Sequence, residues 1–404
     1  MNQDPAQGRL VTYEFCALCA VCLLCFCNIA IFYGFYNYLE GLGIPADWRG
    51  PLLALEPLTA LALRPWLCTR LTLANSVPAM RLGIGLAILA LASYPFATGV
   101  PAIAVVRVLH GAGYAILASG LMTAFTHFIS PSRVAQGYGI LSLTSLLPSA
   151  IMPPFVEVLT PLLPGPAWAY AMAAPLMLPA LLLLAPMGGK ARSMAAALPP
   201  EQSCRPGWGR VLSGLLEPGV RGLFFGQFFL LAGHTIVYFF MKSWGLILGA
   251  VNPGLFFTCA NMATIAVRAL GMRHLDRLNP GRATGLALLF LAGLTPGFGL
   301  AGGETTLLVM AAFYGLALGL GMPLLNAAMY RVSPAELRSA NANLLMVAMD
   351  AGFVIGPLIG GRVLAAGFGL QNLFVICGVL MLTAGLAVLP VGRLTPAGTG
   401  ERRG

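Results

Sequence analysis

The feature that most constrains this chain is its succession of long apolar stretches, which recur along the sequence with short polar breaks between them. A helix that spans the hydrocarbon core of a bilayer needs about 20 apolar residues. Hydrophobic residues make up 58% of the chain and charged residues only 9%, whereas soluble domains carry roughly a quarter charged residues. The sequence therefore predicts an integral membrane protein.

Twelve stretches are long enough to span a bilayer, six on each side of a polar break at residues 187–219. The predicted spans cover residues 13–35, 51–68, 79–98, 102–125, 135–159, 167–186, 222–240, 254–269, 283–300, 305–330, 340–364 and 372–389. We expect an all-α protein with six-helix bundles at residues 1–186 and 220–404 and a cytoplasmic linker between them. The prolines and basic residues of the break predict an irregular linker with one short surface helix at residues 208–216.

Lysine and arginine concentrate in alternate loops of this arrangement. If the N-terminus lies inside, little beyond Arg49, Lys242 and Arg362 falls on the outer side. Because basic loops stay in the cytoplasm, we expect both termini there, in a multi-pass protein of the inner (plasma) membrane. The net charge of +10 then reflects topology, and nucleic acid is not an expected partner.

Nine cysteines lie mostly within the apolar stretches. Those at positions 16, 19, 22 and 25 have a spacing that would indicate a metal site in a loop. On a helix each step of three residues rotates the side chain by about 300°, so the four thiols spread over half the circumference. We expect free thiols, no metal and no cofactor.

The two halves of the chain carry matching residues at a nearly constant separation. Arg64 precedes Arg268 by 204 residues, and Gly111 precedes Gly315 by the same separation. Tyr38 is matched by an aromatic residue 202 positions later. Six spans return a chain to its starting side, so these halves form a parallel repeat, as in several transporter folds.

Motifs in both halves point to one family. In the fourth stretch, Arg107 and His110 precede Gly-Ala-Gly. Arg268 and Asp276 belong to the motif that joins the eighth and ninth stretches, and Asp350 precedes a series of glycines in the eleventh. These motifs resemble those of the major facilitator superfamily, especially members that export arabinose or drugs, over essentially the whole chain. His110 stands where the family usually has glutamine. The resemblance implies two six-helix bundles and a cavity lined by the first, fourth, seventh and tenth helices.

Polar and aromatic residues on these cavity-lining spans are the expected substrate-binding or coupling residues. They are Asn28, Phe32, Phe35, Arg107, His110, Gln227, His234, Asn326 and Tyr330. An ionised side chain in a membrane costs about 2.5 to 3.5 kcal/mol on insertion scales, so it requires a partner or a wet cavity. Arg107 is either a substrate or coupling residue or a structural clamp. The amides and histidines are open to a second interpretation, as hydrogen bonds between helices.

A second group of charged residues is expected to carry protons or form a gate. It consists of Glu56, Arg64, Arg268, Asp276 and Asp350. The resemblance implies that the second and eleventh helices meet between the halves, so Arg64 is expected to pair with Asp350 in one conformation. Glu56 is the expected proton carrier of this group.

The sequence favours a secondary transporter over an enzyme or a pump. It shows no clustered nucleophile and base, and no Gly-x-x-x-x-Gly-Lys segment for nucleotide binding. We expect a monomer in the lipid bilayer that exports a small organic or amphipathic solute by alternating access, coupled to protons. The alternative is uptake or export of a small organic anion, a metabolite carboxylate, with Arg107 as the anion contact.

Overall fold

The computed structural model describes residues 11–129, 133–197, 209, 213–275, 278–334 and 337–394. Within these ranges the chain is helical and contains no β-strand, so the all-α prediction is confirmed. The α-helices are α1 (Tyr13–Ala30), α2 (Phe35–Gly41), α3 (Ala46–Arg70), α4 (Leu73–Ser93), α5 (Val100–Phe128), α6 (Val134–Leu159), α7 (Pro166–Ala171), α8 (Ala173–Leu176), α9 (Leu178–Leu183), α10 (Met187–Ala196), α11 (Pro218–Ile247), α12 (Leu255–Leu275), α13 (Pro280–Phe298), α14 (Glu304–Val332), α15 (Arg338–Ala365) and α16 (Leu370–Val388).

Every predicted apolar stretch is matched by a helical segment in the predicted order. Among the described residues, nine segments are long and apolar enough to cross a membrane. The remaining three stretches correspond to α3, α12 and α13. Helix α3 carries Arg49, Glu56 and Arg64 among its apolar residues, which lowers its hydropathy without ending the helix.

Two of the spans are interrupted. The first changes from α-helix to a 3-10 turn at Ile31–Gly34 before α2 continues in the α form. The sixth consists of the three short helices α7, α8 and α9. Pro175 and Pro179 explain the second case, because proline lacks the backbone N–H and its ring clashes with the carbonyl four residues earlier.

The start of the linker differs from the prediction. Residues from Met187 onward form a ten-residue helix, α10, instead of an irregular segment. Met187 and Ala191 are buried, one turn apart on the face that packs against α4. Lys190, which is exposed, pairs with Glu14 of α1 at 2.7 Å. The apolar spacing therefore outweighs the two glycines, whose cost in a helix is about 1 kcal/mol each.

Four of the nine residues of the short helix predicted at residues 208–216 lie outside the described residues. Its described end, Gly214–Leu216, is a 3-10 turn.

The helices form two compact units. One is drawn from the ranges Met1–Phe32 and Thr59–Arg205, the other from Tyr33–Leu58 and Pro206–Gly404. In the second unit the segment Tyr33–Leu58 packs with helices from the second half of the chain: Arg362 on α15 lies 3.3 Å from Asp47 on α3. The bundle boundaries predicted from the sequence stay a prediction.

Glycines allow helix backbones to touch in both units. A Cβ atom at Gly83 would lie 2.6 Å from the amide nitrogen of Leu117, across the contact between α4 and α5. A Cβ atom at Gly315 would collide with the carbonyl oxygen of Ala260, where α14 meets α12. The small residues at these crossings serve close packing, which is a main source of helix association in lipid.

We expect Gly315→Ala to destabilise the protein, because the added methyl group must displace the α12 backbone. Overpacking of this kind costs about 1–3 kcal/mol, so the variant in detergent should melt below the wild type. Gly293→Ala on α13 is the matched control, since its Cβ atom would meet nothing within 4 Å and alanine favours a helix by about 0.5–1 kcal/mol. Equal melting temperatures for the two variants would contradict the close contact.

Candidate functional site

One cluster of polar and aromatic side chains occupies the first unit, and four of the predicted site residues belong to it. We call it the His110 cluster. It consists of Asn28, Phe32, Tyr94, Arg107, His110 and Tyr170. Arg107 and His110 are three positions apart on α5 and so project from neighbouring positions on one face.

Both ring nitrogens of His110 have partners. Its Nε2 lies 2.8 Å from the amide oxygen of Asn28, and its Nδ1 lies 3.4 Å from the hydroxyl of Tyr94. An amide oxygen only accepts, so Nε2–H donates to Asn28 and Nδ1 accepts from Tyr94. This pairing suits an interhelical contact, which was one of the two interpretations of His110.

The other end of the Asn28 amide has no such partner. Its Nδ2 atom is buried and makes no hydrogen bond within the described part of the chain. A buried donor left unsatisfied costs about 1–3 kcal/mol. Buried groups of this kind call for an explanation, and contact with a bound water molecule or ion is one.

Arg107 is 1% exposed and lies against the ring of Phe32. Its guanidinium carbon is 5.6 Å from the centre of the Phe32 ring, within the range of a cation–π interaction. Phe32 in turn stacks on Tyr170, with ring centres 4.4 Å apart and planes at 10°. The 3-10 turn after α1 carries Phe32, so the break in the first span positions this ring.

A second histidine pair lies in the other unit. His234 on α11 places its Nδ1 atom 2.9 Å from the hydroxyl oxygen of Tyr314 on α14, and the two rings are parallel to within 6°. Tyr314 is 2% exposed and also contacts the rings of Phe256 and Phe298. His234 itself is half-buried.

The remaining predicted substrate residues belong to the second unit and do not form one cluster. Phe35 is buried and stacks on Tyr38. Gln227 is buried, and its Oε1 atom has no hydrogen-bond partner in the described ranges. Asn326 is exposed and its amide donates to a carbonyl of its own helix. Tyr330, 59% exposed, accepts a hydrogen bond from Arg338, a partner that the sequence interpretation missed.

For the predicted gate residues, the structure gives the unit and the burial of each side chain separately. Arg64 lies in the first unit and is 9% exposed, while Asp350 lies in the second and is 5% exposed. Glu56 and Arg268 are half-buried, and Asp276 lies outside the described residues. The pairing of Arg64 with Asp350 stays a prediction.

Three tyrosines of these sites were missed by the sequence interpretation: Tyr94, Tyr170 and Tyr314. Tyr94 and Tyr170 belong to no motif, and only the folded chain brings them to Phe32. Tyr314 could have been found, because it lies 204 residues after His110, the same separation that relates Gly111 to Gly315.

Comparison with known proteins is consistent with this architecture. The family model described as Major Facilitator Superfamily matches residues 18–303 and 223–404. The solved nucleoside transporter NupG superposes with a TM-score of 0.73 at 11% identity, covering 94% of this chain and 99% of that chain. The peptide transporter POT in complex with sulfate gives a TM-score of 0.66 at 16% identity, covering 95% and 94%. These two likenesses show the fold alone.

A relative from Pseudomonas putida is similar to part of the chain. The gallate transporter of that organism is 33% identical over 130 residues, which are 31% of this chain and 29% of that protein. The match therefore spans less than a third of the length of that relative.

We expect Asn28→Leu to destabilise the first unit, because it removes the acceptor of the buried His110 Nε2–H group. The expected cost is about 1–3 kcal/mol, measured as a lower melting temperature in detergent. Asn326→Leu is the matched control: Asn326 is exposed and bonds only to its own helix, so its change should stay within about 0.5 kcal/mol. An unchanged melting temperature for Asn28→Leu would show that the His110 hydrogen bond contributes no stability.

Proposed function

The chain belongs to the major facilitator superfamily of membrane transporters, and we propose that the solute it moves is a small organic anion, an aromatic carboxylate. The observation that carries this proposal is the buried Arg107 guanidinium, which lies against the Phe32 ring in the same cluster as an amide donor without a partner. Of the two solute classes expected from the sequence, this geometry favours the anion.

The chemistry of the His110 cluster suits both parts of such a solute. A guanidinium presents donors in a planar fork that matches the two oxygens of a carboxylate. The unpartnered Nδ2 of Asn28 supplies a further donor. The stacked rings of Phe32 and Tyr170 offer an aromatic surface against which the ring of the solute can pack. In a site with few competing waters these interactions are stronger than in bulk water.

The likeness to a gallate transporter supports the same solute class, because gallate is an aromatic carboxylate. Since that match covers 31% of the chain, the solute remains part of the proposal. Gallate is the natural first probe.

Direction and energy source are further parts of the proposal. The sequence predicts a monomeric, proton-coupled exporter, and uptake of the anion is the alternative. Liposomes that contain the purified protein answer both questions when labelled gallate is supplied inside or outside, with and without a pH gradient. Transport that follows only the gradient of gallate, at any pH difference, would contradict proton coupling.

We expect Arg107→Gln to abolish most gallate binding, because the carboxylate loses its charged partner. A charge-assisted hydrogen bond contributes about 1.5–3 kcal/mol, which corresponds to a Kd raised by roughly tenfold to more than a hundredfold. The Kd is measured by calorimetry on the detergent-solubilised protein and compared with flux into liposomes. Arg221→Gln removes the same charge from an exposed site on α11 and should leave the Kd unchanged.

The competing solute class gives a different result in the same assay. Should the methyl ester of gallate, which is neutral, bind as tightly as gallate and equally well to Arg107→Gln, the anion proposal would be wrong. The result would then favour transport of a neutral amphipathic solute.

We also propose that both termini lie in the cytoplasm and that the protein resides in the inner membrane. The support is the concentration of basic residues in alternate loops. In intact cells that express Gly302→Cys, an impermeant maleimide should label the new thiol, because Gly302 lies in the exposed turn between α13 and α14. Pro334→Cys, exposed at the other end of α14, should react only after the cells are opened. The reverse labelling pattern would show that both termini lie outside the cell and would contradict the proposed orientation.

A further inference from the structure

The hydrogen bond between His234 and Tyr314 indicates which atom of each residue carries the proton. Tyr314 is fully surrounded by protein, and its neighbours Phe256 and Phe298 present rings, which offer no strong acceptor. Within the described residues, the hydroxyl makes one hydrogen bond, to Nδ1 of His234. A buried hydroxyl proton needs an acceptor, so Tyr314 donates and Nδ1 accepts.

The consequence for His234 follows from the chemistry of imidazole. In the neutral ring one nitrogen donates and the other accepts, and the bond made by one nitrogen determines the role of the other. When Nδ1 accepts from Tyr314, Nε2 must carry the hydrogen. No hydrogen bond of Nε2 is present within the described part of the chain, and the side chain is half-buried, so this donor is available.

The internal repeat provides an independent comparison. Phe32 lies 202 residues before His234 and His110 lies 204 residues before Tyr314, the two separations that relate the halves of the chain. The Phe32–His110 contact in the first unit, 5.1 Å between ring centres, therefore corresponds to the His234–Tyr314 contact in the second. The histidine therefore lies on α5 in the first pair and on α11 in the second.

The two histidines differ in what their Nε2–H groups meet. That of His110 is used by the amide oxygen of Asn28, and the ring is fully buried. That of His234 has no such partner within the described ranges and lies on a half-buried side chain. In the first pair the protein itself accepts the Nε2–H hydrogen bond of His110, whereas in the second pair the Nε2–H group of His234 is left as a donor.

We propose that His234 is a solute-binding residue that donates a hydrogen bond from Nε2 to an oxygen of the transported solute. Tyr314 is its positioning residue, which holds the ring in the Nε2–H tautomer and in a fixed orientation. The proposed function enters only in the choice of solute: an aromatic carboxylate with ring hydroxyls offers several acceptor oxygens.

The tautomer is measured by nitrogen NMR on the full-length protein in nanodiscs, labelled with ¹⁵N at histidine. The chain contains four histidines, so the signals can be assigned by single replacements such as His234→Gln. We expect the Nε2–H tautomer for His234 in the wild type and a mixture of tautomers in Tyr314→Phe. Tyr94→Phe is the matched control, and it should alter the His110 signal and leave that of His234 unchanged. An Nδ1–H tautomer for His234 in the wild type would overturn the role of Tyr314.

The donor is tested by adding gallate to the same sample and by calorimetry. We expect gallate to shift the His234 Nε2 signal, and Tyr314→Phe to raise the Kd about three- to tenfold. Replacement by glutamine, whose amide nitrogen can take the place of Nε2, should preserve more affinity than His234→Asn, whose amide nitrogen is too short to do so. Gallate that binds without shifting the Nε2 signal, or equal losses for both amides, would overturn the donor role.

Failure of the proposed function can be distinguished from failure of the donor role of His234. If gallate does not bind the wild type at all, the solute class is wrong, and the tautomer measurement still decides whether Tyr314 orients His234. The panel is then repeated with neutral solutes that carry acceptor oxygens. A His234 Nε2 signal that no transported solute shifts would overturn the inference.

Discussion

In the hydrocarbon of a bilayer there is no water to satisfy polar groups, and every other feature of this structure depends on that constraint. The backbone meets it by forming helices throughout the apolar stretches. Buried side chains meet it in pairs, such as Asn28 with His110 and His234 with Tyr314. Where a group is left over, as with Nδ2 of Asn28, the cost of its burial makes it a natural contact for a solute that arrives with the missing partner.

The same constraint explains how two halves of one repeated design have diverged. An aromatic ring and a histidine face each other at equivalent positions of each unit, but the histidine is on α5 in the first and on α11 in the second. In the first unit an added amide, Asn28, completes the pairing. In the second a tyrosine hydroxyl occupies one ring nitrogen only. The repeated scaffold thereby provides chemically different surroundings in the two units.

Two interruptions of the α-helices position the aromatic side chains of the His110 cluster. The 3-10 turn Ile31–Gly34 carries Phe32, and the broken sixth span carries Tyr170, so the stack of these two rings depends on two departures from α-helix. Glycines such as Gly83 and Gly315 let neighbouring helices approach to backbone contact. Closely packed helices therefore hold the side chains of the His110 cluster in position.

The sequence by itself determined the membrane class, the order of the helical segments, the repeat and the family, because hydropathy, glycine motifs and spacing are local properties of the chain. It also singled out Arg107 and His110, since polar groups in apolar stretches are rare. It missed α10, where buried Met187 and Ala191 outweigh two glycines. Only the tertiary structure decided that Tyr94 and Tyr170 join Phe32, that Tyr330 meets Arg338, and that Nε2 of His110 meets Asn28 while Nδ1 of His234 meets Tyr314. Those outcomes depend on which side chains of different helices the fold brings into contact, and no local pattern encodes that.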